Sequence, residues 1–124
     1  MPIRSIDHFT IRTYDLEGTV AFYEKVIGMK EGDRPAFDFP GAWLYCGGRP
    51  LVHVVASETP TGEETGAFDH LALEATDITA TRRFLEDRAI VFRETLVPLT
   101  RTRQIFLYDP NGIRIELNFK EGDA

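Results

Sequence analysis

Three histidines and one glutamate occupy places that recur along the chain. Ile6-Asp7-His8-Phe9-Thr10-Ile11 is matched by Phe68-Asp69-His70-Leu71-Ala72-Leu73 at an offset of 62. At an offset of 63, Leu51-Val52-His53-Val54-Val55 is matched by Arg114-Ile115-Glu116-Leu117-Asn118. His8 with His70, and His53 with Glu116, are therefore equivalent positions in a doubled module, and such positions can converge on one point when the modules pair. Neutral imidazole and carboxylate bind first-row divalent ions, and two histidines with one carboxylate leave coordination places open for water, substrate or dioxygen. The expectation is a catalytic divalent metal held by His8, His70 and Glu116, with nickel, zinc, manganese and iron as candidates. His53, between apolar neighbours, reads as a core histidine, a further ligand, or a substrate contact with an acid–base role beside Glu116.

Other residues fall near these donors by strand alternation or by the repeat. Trp43 and Phe106 match at the offset of 63 and read as pocket wall or core. Asn118 shares a strand face with Glu116 and Arg114, and with His53, Trp43 and Phe106 it is a candidate substrate contact. Arg101 and Arg103 precede a strand and can meet an anionic substrate group or simply face water. Arg12 and Glu74, related by the offset of 62, can pair with each other or end in solvent.

Elements to position these residues are legible in each half. Residues 3–13 alternate as a strand. Asp15 can cap a helix over 15–28 that Gly28 stops. Strands follow near 29–39, 41–46 and 51–56, separated by Pro40-Gly41 and Gly47-Gly48-Arg49-Pro50. Residues 57–66 (SETPTGEETG) carry no large apolar side chain and read as a linker. The order then recurs: a strand over 67–75, Asp77 capping a helix near 78–88, and strands near 91–96, 104–108 and 113–119. Asp109-Pro110-Asn111-Gly112 forms the last turn, and 120–124 reads as a frayed tail. The fold class is α+β: two βαβββ modules, 3–56 and 67–119, making one domain over 1–124. Their pseudo-twofold pairing would form a curved mixed sheet around a central cavity.

Composition excludes some partners. The chain has 124 residues, 43% of them hydrophobic, enough for a packed core, and a formal charge of −6 without a basic aromatic cluster, so nucleic acid is not expected. No apolar run has membrane-spanning length. The single cysteine, Cys46, cannot form an internal disulfide and reads as a small core residue. These features suit a cytoplasmic protein acting on a small molecule, and exposed module edges favour a homodimer.

The chain resembles the vicinal oxygen chelate superfamily, which includes glyoxalase I, fosfomycin resistance proteins, extradiol dioxygenases and metal-free bleomycin resistance proteins. The resemblance spans residues 3–119. It is carried by Asp7-His8-Phe9, by Ala21-Phe22-Tyr23-Glu24-Lys25-Val26-Ile27-Gly28, by Phe68-Asp69-His70-Leu71, and by Asp109-Pro110-Asn111-Gly112-Ile113-Arg114-Ile115-Glu116-Leu117. Residues 34–57 look most like a glyoxalase-I-like branch. The resemblance implies that His8, His70 and Glu116 match metal ligands, whereas His53 stands where glyoxalase I has a glutamate. It implies a divalent-metal lyase or isomerase acting on a substrate that chelates through neighbouring oxygens. An extradiol-type iron(II) dioxygenase and a metal-free ligand-sequestering resistance protein are the alternatives.

Overall fold

A computed structural model of the chain describes residues 2–62, 64–98 and 100–120. Its contacts divide into two compact units, Met1–Gly62 and Glu63–Ala124, so the break falls inside the expected linker. The first module runs β1 (Phe9–Thr13), α1 (Leu16–Phe22), a π-helical turn (Tyr23–Ile27), β2 (Lys30–Gly32), β3 (Gly41–Cys46) and β4 (Arg49–Ala56). The second runs β5 (Leu71–Glu74), α2 (Ile78–Asp87), β6 (Arg93–Leu96), β7 (Arg103–Tyr108) and β8 (Arg114–Phe119). Each is a four-stranded mixed sheet with the same plan, β1-β4-β3-β2 and β5-β8-β7-β6, in which the first and last strands pair in parallel. This is the expected α+β architecture of two βαβββ modules. Among the described residues no helix is long and apolar enough to cross a membrane.

Alternation gives each sheet one apolar face and one donor-bearing face. In the first module Ile11, Ala42, Leu44, Val52 and Val54 are buried, while Trp43 and His53 alternate with them on the other side. The buried face meets α1 through the Thr13 and Thr19 hydroxyls, 3.0 Å apart. In the second, Leu71, Ile105, Leu107, Ile115 and Leu117 make the corresponding face, and Ala72, Phe106 and Glu116 alternate with them. Both helices are capped as the sequence indicates: Asp15 accepts from the Gly18 amide and Asp77 from the Ala80 amide.

Several expected boundaries shift. The first strand begins at Phe9 rather than residue 3, because continued pairing would set Asp7 against Pro50, which has no N–H; Arg49 donates instead to the Ile6 carbonyl at 2.7 Å. The fifth begins at Leu71 rather than 67, because Ile113, which continued pairing would set against Asp69, gives its N–H to the Asp109 carboxylate and its carbonyl to the Asp109 amide. His8 and His70 thus sit just ahead of their strands, not within them. The helix expected over 15–28 widens into a π turn after Phe22. It closes where the amides of Gly28 (φ 89°) and Met29 both reach the Tyr23 carbonyl. The strand expected near 29–39 shrinks to Lys30–Gly32. Pro35 and Pro40 cannot donate to a ladder, and Arg34 instead gathers Phe37 and Phe39 beneath its guanidinium. Cys46 is exposed, not core: the β3–β4 register slips between Leu44 and Cys46, ending the alternation that buries Ala42 and Leu44. The frayed-tail expectation lies outside the described residues except at Lys120, which pairs with Glu74 at 2.9 Å.

On the helix face of the second sheet, Arg82 of α2 grips Glu94 of β6 with two bonds of 2.8 and 2.9 Å. Arg103 adds a third at 3.3 Å. The Arg82 hydrogen bonds hold the Glu94 carboxyl below its ordinary value of 4.5. A carboxylate lowered on folding contributes stability that is full above its unfolded pKa and is lost as pH falls through the folded one. Wild-type stability is therefore expected to decline on acidification below about pH 4.5. Glu94→Gln should flatten that decline and lower stability at neutral pH by about 1–2 kcal/mol, allowing for solvent screening of the half-exposed Arg82. Urea melts across pH 3–7 measure both.

Candidate functional site

The donor faces carry equivalent constructions. In the second module His70 Nδ1 donates to Asp69 Oδ2 at 2.7 Å, and its Nε2 lies 3.1 Å from Glu116 Oε1. Glu116, 7% exposed, takes a 2.6 Å hydrogen bond on Oε2 from the Asn118 side-chain amide. Asp69 also accepts from Arg114 at 3.2 Å. The hydrogen bond from His70 is the main reason the Asp69 carboxyl titrates below the usual range, so Asp69 is the charged acceptor and Nδ1 carries the proton. In the neutral ring that leaves the Nε2 lone pair facing a carboxylate oxygen. Two lone pairs at 3.1 Å repel unless a proton or a cation sits between them. The same spacing suits two neighbouring ligands about 2.1 Å from a common ion. The donor pair therefore fits a divalent metal.

In the first module the same dyad recurs: His8 Nδ1 donates to Asp7 Oδ2 at 2.7 Å, and that bond is the main cause of the lowered Asp7 pKa. His8 Nε2 is again the nitrogen left for a ligand role. Its ring stacks on His53 (centroids 3.8 Å, 10° between planes), and His53 stacks on Trp43, its cross-strand partner (4.0 Å, 10°). Lone pairs of near-parallel stacked imidazoles run side by side and do not meet, so this column does not present His8 and His53 as two ligands of one ion. His53 Nε2 is buried without a hydrogen-bond partner. Burial is the main cause that lowers the His53 pKa, with neighbouring His8 acting in the same direction, so its ring is neutral near pH 7.

The structure thus brings together His70, Glu116, Asn118 and Phe106 in one module and His8, His53 and Trp43 in the other. Among the described residues no group of three or more His, Cys, Asp or Glu is gathered closely enough to hold a metal ion. Arg103 does not belong with the others: alternation turns it to the helix face, opposite Phe106 and Glu116, where Glu94 binds it. Glu74 pairs with Lys120. Beside Glu116 and Asn118 an open hollow of about 350 Å³ is lined also by Thr100, Thr102, Gln104 and Lys120.

Sequence reasoning missed the roles of Asp7 and Asp69. Their signal was present in the repeated Asp-His pair, since a carboxylate one residue away can fix an imidazole tautomer. It also missed that Arg93 and Arg114, which stand 21 residues apart in sequence, reach one ring, Phe106, through strand pairing.

Comparison with known proteins identifies the family and the fold. A model of the Glyoxalase/Bleomycin resistance protein/Dioxygenase superfamily matches residues 5–117. Glyoxylase I 4 of Arabidopsis thaliana is 25% identical over 122 residues, covering 93% of this chain and 70% of the plant protein. Metallothiol transferase FosB of Lysinibacillus sphaericus is 24% identical over 127 residues, covering 95% of this chain and 84% of the relative. The crystal structure of the fosfomycin resistance protein FosX from Listeria monocytogenes superposes with a TM-score of 0.75 at 15% identity, over 97% of this chain and 96% of that one, which speaks to the fold.

Proposed function

Because the chain belongs to the Glyoxalase/Bleomycin resistance protein/Dioxygenase superfamily, we propose that it is a divalent-metal-dependent lyase or isomerase of the glyoxalase type. Its substrate is a small molecule with neighbouring oxygens, and it works as a cytoplasmic homodimer. His8, His70 and Glu116 are the proposed metal donors. The observation that carries the reading is the His70 Nε2 to Glu116 Oε1 approach of 3.1 Å, with Nδ1 already committed to Asp69.

When bound, a divalent ion supplies Lewis-acid stabilisation of the negative charge that develops on a substrate oxygen. The remaining work falls to side chains. Glu116 is the proposed base that takes a proton from carbon next to a carbonyl, and Asn118 holds its second oxygen so that the first stays aimed. Neutral His53, with Nε2 unpartnered, can accept a proton or hydrogen bond from a substrate hydroxyl. Trp43 and Phe106 supply flat apolar walls that limit water and orient the reactant.

That same unpartnered His53 nitrogen favours one second reading, an extradiol-type iron(II) dioxygenase, which needs an acid–base histidine beside two histidine ligands and a carboxylate. The two chemistries separate in one pair of assays. Protein reconstituted with nickel, zinc or manganese is expected to isomerise 2-oxoaldehyde adducts of small thiols without consuming oxygen. Oxygen uptake by the iron(II) form on catechols, with no isomerisation by the others, would transfer the assignment to the dioxygenase.

A further inference from the structure

On the donor face of the second sheet, Phe106 lies between two guanidiniums. Arg114 Cζ stands 4.3 Å and Arg93 Cζ 5.5 Å from its ring centroid, and the His70 ring meets the same phenyl edge-on at 6.3 Å. A hollow of about 270 Å³ opens here, lined by Val91, Phe92, Arg93, Phe106, Tyr108 and Arg114. Two like charges at one ring repel each other, and an anion bound between them relieves that repulsion. Arg114 gives one N–H to Asp69 and has others to offer. Arg93 has no carboxylate partner among the described residues. The lining is otherwise apolar or aromatic, so the hollow pairs positive charge with a surface for a hydrocarbon body.

Strand register sets its distance from the donors. Arg93 pairs with Phe106 and Phe106 with Glu116, so Arg93 and Glu116 are two strands apart. At about 4.8 Å per strand their main chains are about 10 Å apart, and the side chains narrow the gap to the length of a small organic molecule.

We propose that Arg93 and Arg114, with Phe106 between them, form an oxyanion-binding subsite that anchors a carboxylate or phosphonate group of an organic anion whose apolar body lies on Phe106. That this anion is the substrate rests on the metal-enzyme reading above; the subsite itself does not. Bidentate guanidinium pairing suits both oxyanions, and the flanking ring favours a bulky acid over an inorganic one.

The test is calorimetric titration of the full chain, chelator-stripped and metal-loaded, with benzoate, phenylphosphonate and neutral benzamide. At least one anion is expected to bind both forms saturably, with benzamide at least tenfold weaker. Arg93→Gln should weaken the anion at least tenfold and Arg93→Gln/Arg114→Gln further, whereas Arg103→Gln, whose guanidinium lies on the other face, should bind like wild type. Melting curves confirm that each variant is folded, and Arg93→Lys should recover part of the loss. The preferred anion identifies the group. Failure of both anions, equal binding of benzamide, or affinity that needs the metal and ignores the arginines would overturn the subsite. Failure of the metal reading would instead appear as unchanged ion content in His70→Ala, with anion binding by the stripped protein intact.

Discussion

Glu116→Gln is expected to release the divalent ion, weakening its binding by more than about 100-fold, beyond what loss of an outer-sphere partner produces. The substitution changes little else. Gln has the shape of Glu, it can still accept from the Asn118 amide that now bonds Oε2 at 2.6 Å, and its own amide can turn a donor toward His70 Nε2. The side chain is nearly buried, and losing an unpaired negative charge there costs the fold little. In the proposed set, by contrast, the ion would lose its only anionic ligand and face a protonated nitrogen. Elemental analysis of protein purified without chelators or a metal-binding tag reads the result, with a melting curve to show the fold intact. His8→Ala should lose the ion too, because in the proposed set it supplies the second imidazole. Full ion content in both variants would remove the coordination scheme. A wild-type chain that takes up none of several divalent ions would point to the ligand-sequestering alternative.

What could be read ahead of the structure followed from how local each constraint is. The doubled βαβββ order was legible because alternation, the Asp15 and Asp77 caps and the Gly28 stop act over a few residues. Pairing of the first and last strands, which makes neighbours of His8 with His53 and His70 with Glu116, is a property of the folded sheets. The ends of strands were not legible in the same way. Phe9 begins β1 because of Pro50 across the ladder, and Leu71 begins β5 because the Asp109 turn claims Ile113, and both causes lie far away in sequence. Arg103 shows the cost of a small error. A strand beginning one residue earlier than expected still has a fixed parity, and parity alone sends its guanidinium to Glu94 and away from Glu116. Arg93 and Arg114 could not be seen as a pair because Phe106 joins them only after three strands have registered. The stacked column His8–His53–Trp43 belongs to the same class: offsets nominate its members, but ring planes are set by packing.

Asp69→Asn and Asp7→Asn test whether the two equivalent histidines serve one ion. Each aspartate accepts the Nδ1 proton across 2.7 Å, the bond that chiefly lowers its pKa, so each favours the tautomer that leaves Nε2 as a ligand. An asparagine can accept the same proton without the charge, or reverse its amide and donate to Nδ1, which moves the proton to Nε2 and removes the ligand. Loss of such a partner typically weakens metal binding about 10–100-fold, or about 1.4–2.7 kcal/mol. If both histidines bind one ion, each variant loses that much and the double variant loses about the product, 100–10,000-fold, in competition against a chelator of known affinity. If only His70 binds, Asp7→Asn leaves the affinity at the wild-type value and the proposed convergence of the modules fails. The variants should differ in a second respect. Asp69 also accepts from Arg114, whereas among the described residues Asp7 holds only His8. Asp69→Asn therefore removes the carboxylate that competes with an incoming anion for Arg114, and benzoate or phenylphosphonate affinity of the stripped protein should change in that variant and stay constant in Asp7→Asn. A common shift in both would mean that the dyads act on overall charge rather than on the groups they touch.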